Sequence, residues 1–298
     1  MNCRIKIKIK TTKLNSMSSK NLLIAFTVSA FAIGFSSCKK TTTTTDTATN
    51  ASSTTELSQD LAISDNITED ANNSVMVAAD NQSLIGARPA GVESPDSVSI
   101  CAAVSANIHA FPDTINVNFS GTSCNGVTRS GSISIVLSGY LRANGTVATV
   151  TFNNYFVNGY NRQGTIVWTN TRSSTGDTLS WTRVDNGKVV APSGGKYWTC
   201  SGTRKVKQIA GIGTYTMWDD AFSLTGNLTV TNQNNLSASA VTVTPLQKAV
   251  SCPFIGQGQL QLTGPGGNAL LIDYGNGTCD ANATYSLNGG PALQFSLL

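Results

Sequence analysis

The chain has 298 residues, of which 12% are charged and 7% aromatic, and 27 are glycine. These proportions argue against a coiled coil, a helical bundle and a polytopic membrane protein, and a lone histidine, His109, leaves no basis for a histidine-built zinc or iron site. The net charge of +4 is uneven: six bases and no acid precede residue 38, residues 39–100 hold three bases and nine acids, and residues 101–298 hold eleven and seven. The basic balance therefore belongs largely to the N-terminal end and does not point to a nucleic-acid partner, which needs a clustered basic face.

Residues 21–37, from Asn21 to Ser37, form an apolar run preceded by Lys20 and closed by small residues. It is shorter than the about 20 apolar residues of a comfortable membrane span. Its layout is that of a secretory signal, so residues 1–37 read as a signal peptide, with Met17 an alternative start. Cys38 follows directly. Phe35-Ser36-Ser37-Cys38 resembles a lipobox, the site at which bacterial lipoprotein precursors are acylated and cut, with Phe35 in place of the usual leucine. The resemblance implies lipidation of Cys38 and anchoring in the cell envelope, each buried methylene of the acyl chains contributing about 0.8 kcal/mol. It also implies the outer membrane, and the absence of acids in Lys39-Lys40-Thr41 tilts the reading toward the periplasmic face.

Residues 38–55 are rich in Thr and read as an unstructured stalk. Residues 56–96 read as an acidic linker, with one short helix at 56–64 around Leu57 and Leu61 and a Gly/Pro-marked stretch at 81–96. Asp46-Thr47-Ala48 resembles the triplet of Bacteroidota protein O-glycosylation, which makes Thr47 a candidate acceptor.

From residue 97 to 298, short runs alternate apolar and polar residues, as in Ser130–Ser138 and Val147–Phe152. Asn-Gly pairs at 144–145, 158–159, 186–187, 276–277 and 288–289 fit type I′ hairpins. The expected fold class is all-β, an antiparallel meander-rich sandwich or partly closed barrel of roughly 13–16 strands. Phe119, Ile133, Ile135, Leu137, Val150, Phe152, Phe222, Leu224 and Leu228 are its expected core.

Cys101 and Cys124 lie 23 residues apart, Cys252 and Cys279 lie 27 apart, and the flanks of the two pairs are alike. Each includes a hydrophobic strand, an aromatic, a Gly-Thr turn and a cysteine. We read disulfides Cys101–Cys124 and Cys252–Cys279, the crossed pairings staying open, and a buried thiol at Cys200. The body resembles a family of Bacteroidota lipoproteins in Val150–Gly159, Asp219–Gly226, Pro245-Leu246 and Ile272–Asp280. The resemblance covers nearly all of 97–298; it implies location and disulfides and assigns no catalytic residue.

Chemistry is sparse. His109 lacks a nucleophile-elbow neighbour, and Asp219 and Asp220 are adjacent, so a strand would send them to opposite faces. Asp273, Asn276 and Asp280 form an oxygen-rich, glycine-rich stretch that could suit Ca²⁺, the one cofactor the chain offers. Trp168, Trp181 and Trp198 each stand an even number of residues from an arginine, Arg183 among them, and such a row could offer a stacking surface to a glycan or envelope protein or form a cation–π-laced core edge. The reading that emerges is a lipid-anchored envelope protein with a non-catalytic binding or structural β-domain; the alternative is a carbohydrate-active or other hydrolase using aspartates from different strands.

Overall fold

The computed structural model describes residues 42–86, 101–106, 110–173, 178–212, 214 and 217–298. Cys38, the signal-like segment, His109 and residues 87–100 lie outside the described residues. One helix, α1 (Thr42–Asn81), precedes thirteen strands. These are β1 (Ala102–Ala106), β2 (Asp113–Cys124), β3 (Val127–Leu137), β4 (Val147–Val157), β5 (Tyr160–Asn170), β6 (Ser180–Val190) and β7 (Tyr197–Ala210). After them come β8 (Ala221–Asn232), β9 (Ser237–Ala249), β10 (Gln257–Thr263), β11 (Ala269–Asn276), β12 (Asn282–Leu287) and β13 (Leu293–Ser296). A single 3₁₀ turn, Pro265–Gly267, joins β10 to β11.

Every strand pairs antiparallel with its neighbour in sequence, giving one 13-stranded meander that runs β1 to β13 without crossovers. β1 and β13 do not pair, so the sheet is not closed into a barrel. Among the described residues the strands form one sheet. Alternation does the work: on β7, Trp198, Cys200, Arg204, Val206 and Gln208 point inward and are buried, while Thr199, Ser201, Thr203, Lys205 and Lys207 are exposed. All nine expected core residues face inward; Phe152 alone is only partly buried. Asn158-Gly159 and Asn288-Gly289 turn β4 into β5 and β12 into β13, with positive φ at both residues of each pair, as a type I′ turn requires.

Other sequence expectations fail: Asn144 and Asn276 lack the positive φ of a type I′ turn. Asn186-Gly187 makes no turn: it lies inside β6, where a side chain at 187 would collide with the Arg162 guanidinium, whose Nη1 is 1.3 Å from the Cβ position. Glycine is there to admit the arginine. Nor, of the expected stalk (38–55) and linker (56–96), do the described residues 42–81 form a stalk and a linker with only a short helix at 56–64. The helix starts four residues after Cys38 and continues for 40 residues. From Thr54 to Ala79 it is buried on nearly every face, and it contacts strands from β2 through β12. The sheet curls around it. An isolated helix so rich in Thr, Ser and Asn would be marginal in water; enclosure by the sheet stabilises it.

The helix carries seven acids and no base, and the inner face of the sheet answers with arginines. Glu69 pairs with Arg183 of β6, Asp65 with Arg204 of β7 and Asp70 with Arg129 of β3. Lys196, just before β7, bridges Glu56 (2.9 Å) and Asp60 (2.7 Å). Thr68 donates to Asp185, which holds Arg162. Ser64 accepts the indole N–H of Trp198 at 2.6 Å, and the Asn66 side-chain oxygen accepts the Ile255 amide at 3.0 Å. Apolar contacts fill the rest of the seam, with Leu57, Leu61, Ile67, Ala71 and Val75 fully buried.

Both disulfides form as read, Cys101–Cys124 and Cys252–Cys279. Their settings differ despite the similar flanks. The first joins the start of β1 to the end of β2; the second ties the β9–β10 loop to the β11–β12 loop. Cys200 is free and buried, and burial pushes its thiol up to about 12, so it stays protonated and unreactive.

Candidate functional site

A curved sheet of this width would ordinarily leave a ligand cavity inside. Here the helix fills that space. A cavity between α1 and β5, β6 and β9 measures only about 10 Å³, and attention shifts to the outside and the ends.

The tryptophans are not there. Trp168, Trp181 and Trp198 are at most 2% exposed, and Arg183 is equally buried. They do share one face, as their even spacing from arginines requires, but it is the inner one. Trp168 and Trp181 meet edge to face at 5.9 Å, the Arg183 guanidinium lies over Trp168 at 5.9 Å, and Trp181 donates to the Leu141 carbonyl. Burial lowers the Arg183 pKa and Glu69 raises it, with a net rise that keeps the guanidinium charged. The row is core, and the surface-platform reading is withdrawn.

An open cleft of about 480 Å³ lies where β11 ends and β12 begins. Asp273, Asn276 and Asp280 all line it, together with Thr278, Asn282 and Gln294. Each is set by local backbone chemistry. Asp273 sits opposite Gln259 in the β10–β11 register and accepts its amide at 2.7 Å, while its other oxygen accepts the Gly275 N–H at 2.8 Å. Asn276 accepts the Thr278 hydroxyl at 2.9 Å, and Asp280 accepts the Asn282 N–H at 2.8 Å. Gln294 of β13 donates to Asn282 at 2.8 Å. A neighbouring cleft of about 260 Å³ shares Gly256 with it and contains both halves of the Cys252–Cys279 bridge. The disulfide, with a Cα–Cα distance of 5.7 Å, therefore braces the loops from which the cleft is made.

The cleft's chemistry is that of hydroxyl recognition: carboxylate and amide oxygens as acceptors, amide N–H groups as donors. Among the described residues no three His, Cys, Asp or Glu side chains come together in a metal-binding group. Asp273 and Asp280 are half-exposed acceptors built into turns. Of the adjacent pair, Asp220 is buried beside Gln208 and Arg142, whereas Asp219 is exposed and accepts from Thr214. Thr47 lies exposed on α1 rather than on a stalk.

Gln294 and Asn282 were missed in the sequence because nothing in β12 and β13 marks them out; only the strand pairing brings them beside Asp280. The acid–arginine seam had a legible signal, a −6 segment preceding a +4 body. No described helix is long and apolar enough to cross a membrane. Compared with protein-family models, with curated proteins and with solved structures, the chain matches none.

Proposed function

We propose that this chain is an exported lipoprotein, acylated at Cys38, whose β-domain is a non-catalytic binding module of the bacterial envelope. Its site is the Asp273–Asp280 cleft, and its ligand is a neutral or weakly charged saccharide. One observation carries the reading: the interior is occupied by the chain's own helix, and an open cleft of about 480 Å³ on the outside is lined by oxygen acceptors and amide donors. Two disulfides support an oxidising compartment, and the lipobox-like Phe35–Cys38 supports the anchor. The outer membrane, facing the periplasm, is the proposed address.

Titration of the purified domain with envelope polysaccharide fragments, with and without Ca²⁺, tests the site. Asp273→Asn and Asp280→Ala should each weaken binding about tenfold, the effect of about 1.4 kcal/mol. Undiminished binding by both variants removes the cleft from the proposal; binding that needs Ca²⁺ makes the same oxygens ligands to the ion. Cys38→Ser should move the protein from the detergent phase to the aqueous phase, and an unchanged partition removes the anchor.

A further inference from the structure

Lys248 of β9 points inward and is 1% exposed. The other fully buried bases, Arg162, Arg183 and Arg204, each lie against a carboxylate. Lys248 has no such partner among the described residues; its ammonium donates only to main-chain carbonyls, Ala249 at 3.2 Å and Cys252. An ammonium buried without a counter-ion costs several kcal/mol. The charged groups around it are Glu69 and Asp70, which favour the cation, and Arg129, which opposes it; burial outweighs them and lowers its pKa to about 8. Part of the amine is thus uncharged near neutral pH.

Asn73 of α1 reaches the same place. Its amide nitrogen donates to the carbonyls of Ala249 and Val250, both at 3.3 Å. The amine and the carboxamide therefore share the Ala249 oxygen as acceptor across the helix–sheet boundary. Both also line the 10 Å³ cavity, which Glu69, Trp168, Trp181 and Phe222 complete. No ligand fits there, and the aromatic walls keep water scarce.

We propose that Lys248 and Asn73 react to form an isopeptide bond that ties α1 covalently to β9. The neutral Nζ attacks Cγ of Asn73, and the Nζ–Cγ bond forms. Glu69, lining the same cavity, relays a proton from Nζ to Nδ2. The Cγ–Nδ2 bond then breaks and ammonia leaves. Amine and carboxamide become a secondary amide and ammonia, with no oxidant or reductant involved. The product retains one N–H for a carbonyl, and the isolated buried charge is gone.

The full chain provides its own readout. After Lys40, lysyl endopeptidase cuts next at Lys188, Lys196, Lys205 and Lys207, and no lysine follows Lys248. After reduction, denaturation and digestion, the cross-link predicts fragment 41–188 joined to fragment 208–298, lighter than the sum of the two by one ammonia. Asn73→Ala should release 41–188, 208–248 and 249–298 separately, and Lys248→Met should release 41–188 and 208–298 separately. Wild-type protein held at pH 9 whose Lys248 is still cleaved and whose fragments separate would overturn the proposal. So would a persisting link in Asn73→Ala, or a link mapped to Asn72. The wild-type result stands whether or not either variant folds.

Discussion

The pairing of Glu69 with Arg183 offers a quantitative test of the enclosed helix. Arg183 and Glu69 are 2% and 4% exposed at the side chain, and the guanidinium makes two N–H···O contacts with the carboxylate, one of 3.0 Å. Arg183→Met leaves the carboxylate buried without its cation, a loss of about 3–5 kcal/mol for a fully desolvated pair. An exposed pair would lose only about 0–1 kcal/mol. For a folded unit of this size, each kcal/mol shifts Tm by about 2–4 °C, so Arg183→Met should melt roughly 6–20 °C below wild type. Glu69→Gln should be destabilising as well, and the double variant should recover a large part of the loss, because neither charge is then stranded. Far-UV circular dichroism during thermal unfolding gives all four corners of the cycle. A single-variant shift below about 3 °C, with additive effects, would mean that the pair is solvated and that the sheet does not enclose α1.

Three further outcomes follow from the same interior. Burial, working against Lys196 and Arg204, lifts Asp60 and Asp65 to about 6 from an ordinary 3.8. The folded chain then binds more protons than the unfolded one between pH 4 and 6, so the stability these two groups contribute is greatest below about 4 and is lost as pH rises through 6; the urea midpoint should rise from pH 7 to pH 5, and a drop would contradict the assignment. Gly187→Ala must displace the Arg162 guanidinium from Asp185, and differential scanning calorimetry should register a loss of about 3 kcal/mol or more, whereas an unshifted transition would refute the packing. Cys200 should resist a thiol reagent in the native protein and react after unfolding, while reduction of either disulfide, closing loops of 23 and 27 residues, should cost about 3–4 kcal/mol; prompt native labelling of Cys200 would contradict its burial.

What could be read beforehand follows from how local each signal is. Strand alternation depends only on one face being buried, so runs such as Ser130–Ser138 announced themselves, and Asn158-Gly159 needed no tertiary information to specify its turn. Asn186-Gly187 carried the same dipeptide for a different reason, the space taken by Arg162 on the neighbouring strand, and a dipeptide cannot disclose that. The helix was hidden because its surroundings are polar. Asp65, Glu69 and Asp70 lie among Leu61, Ile67 and Ala71, so no apolar stripe appears at helical period, and the partners of those acids stand more than fifty residues downstream. The tryptophans show the complementary limit: spacing placed them on one face but could not say which. At the cleft, Asp273, Asn276 and Asp280 stood out through their own glycine-rich turn, whereas Gln294 joins them only because β13 folds back on β12.

The position of α1 ahead of all thirteen strands has a mechanical meaning. Tension applied at the N-terminal end reaches the helix first and acts along its length, in shear against the whole column of acid–arginine contacts, which yield together. The hairpins beyond it carry no load until that column gives way. β13, by contrast, is four residues long and pairs with β12 alone among the described strands, so little holds it beyond one short ladder.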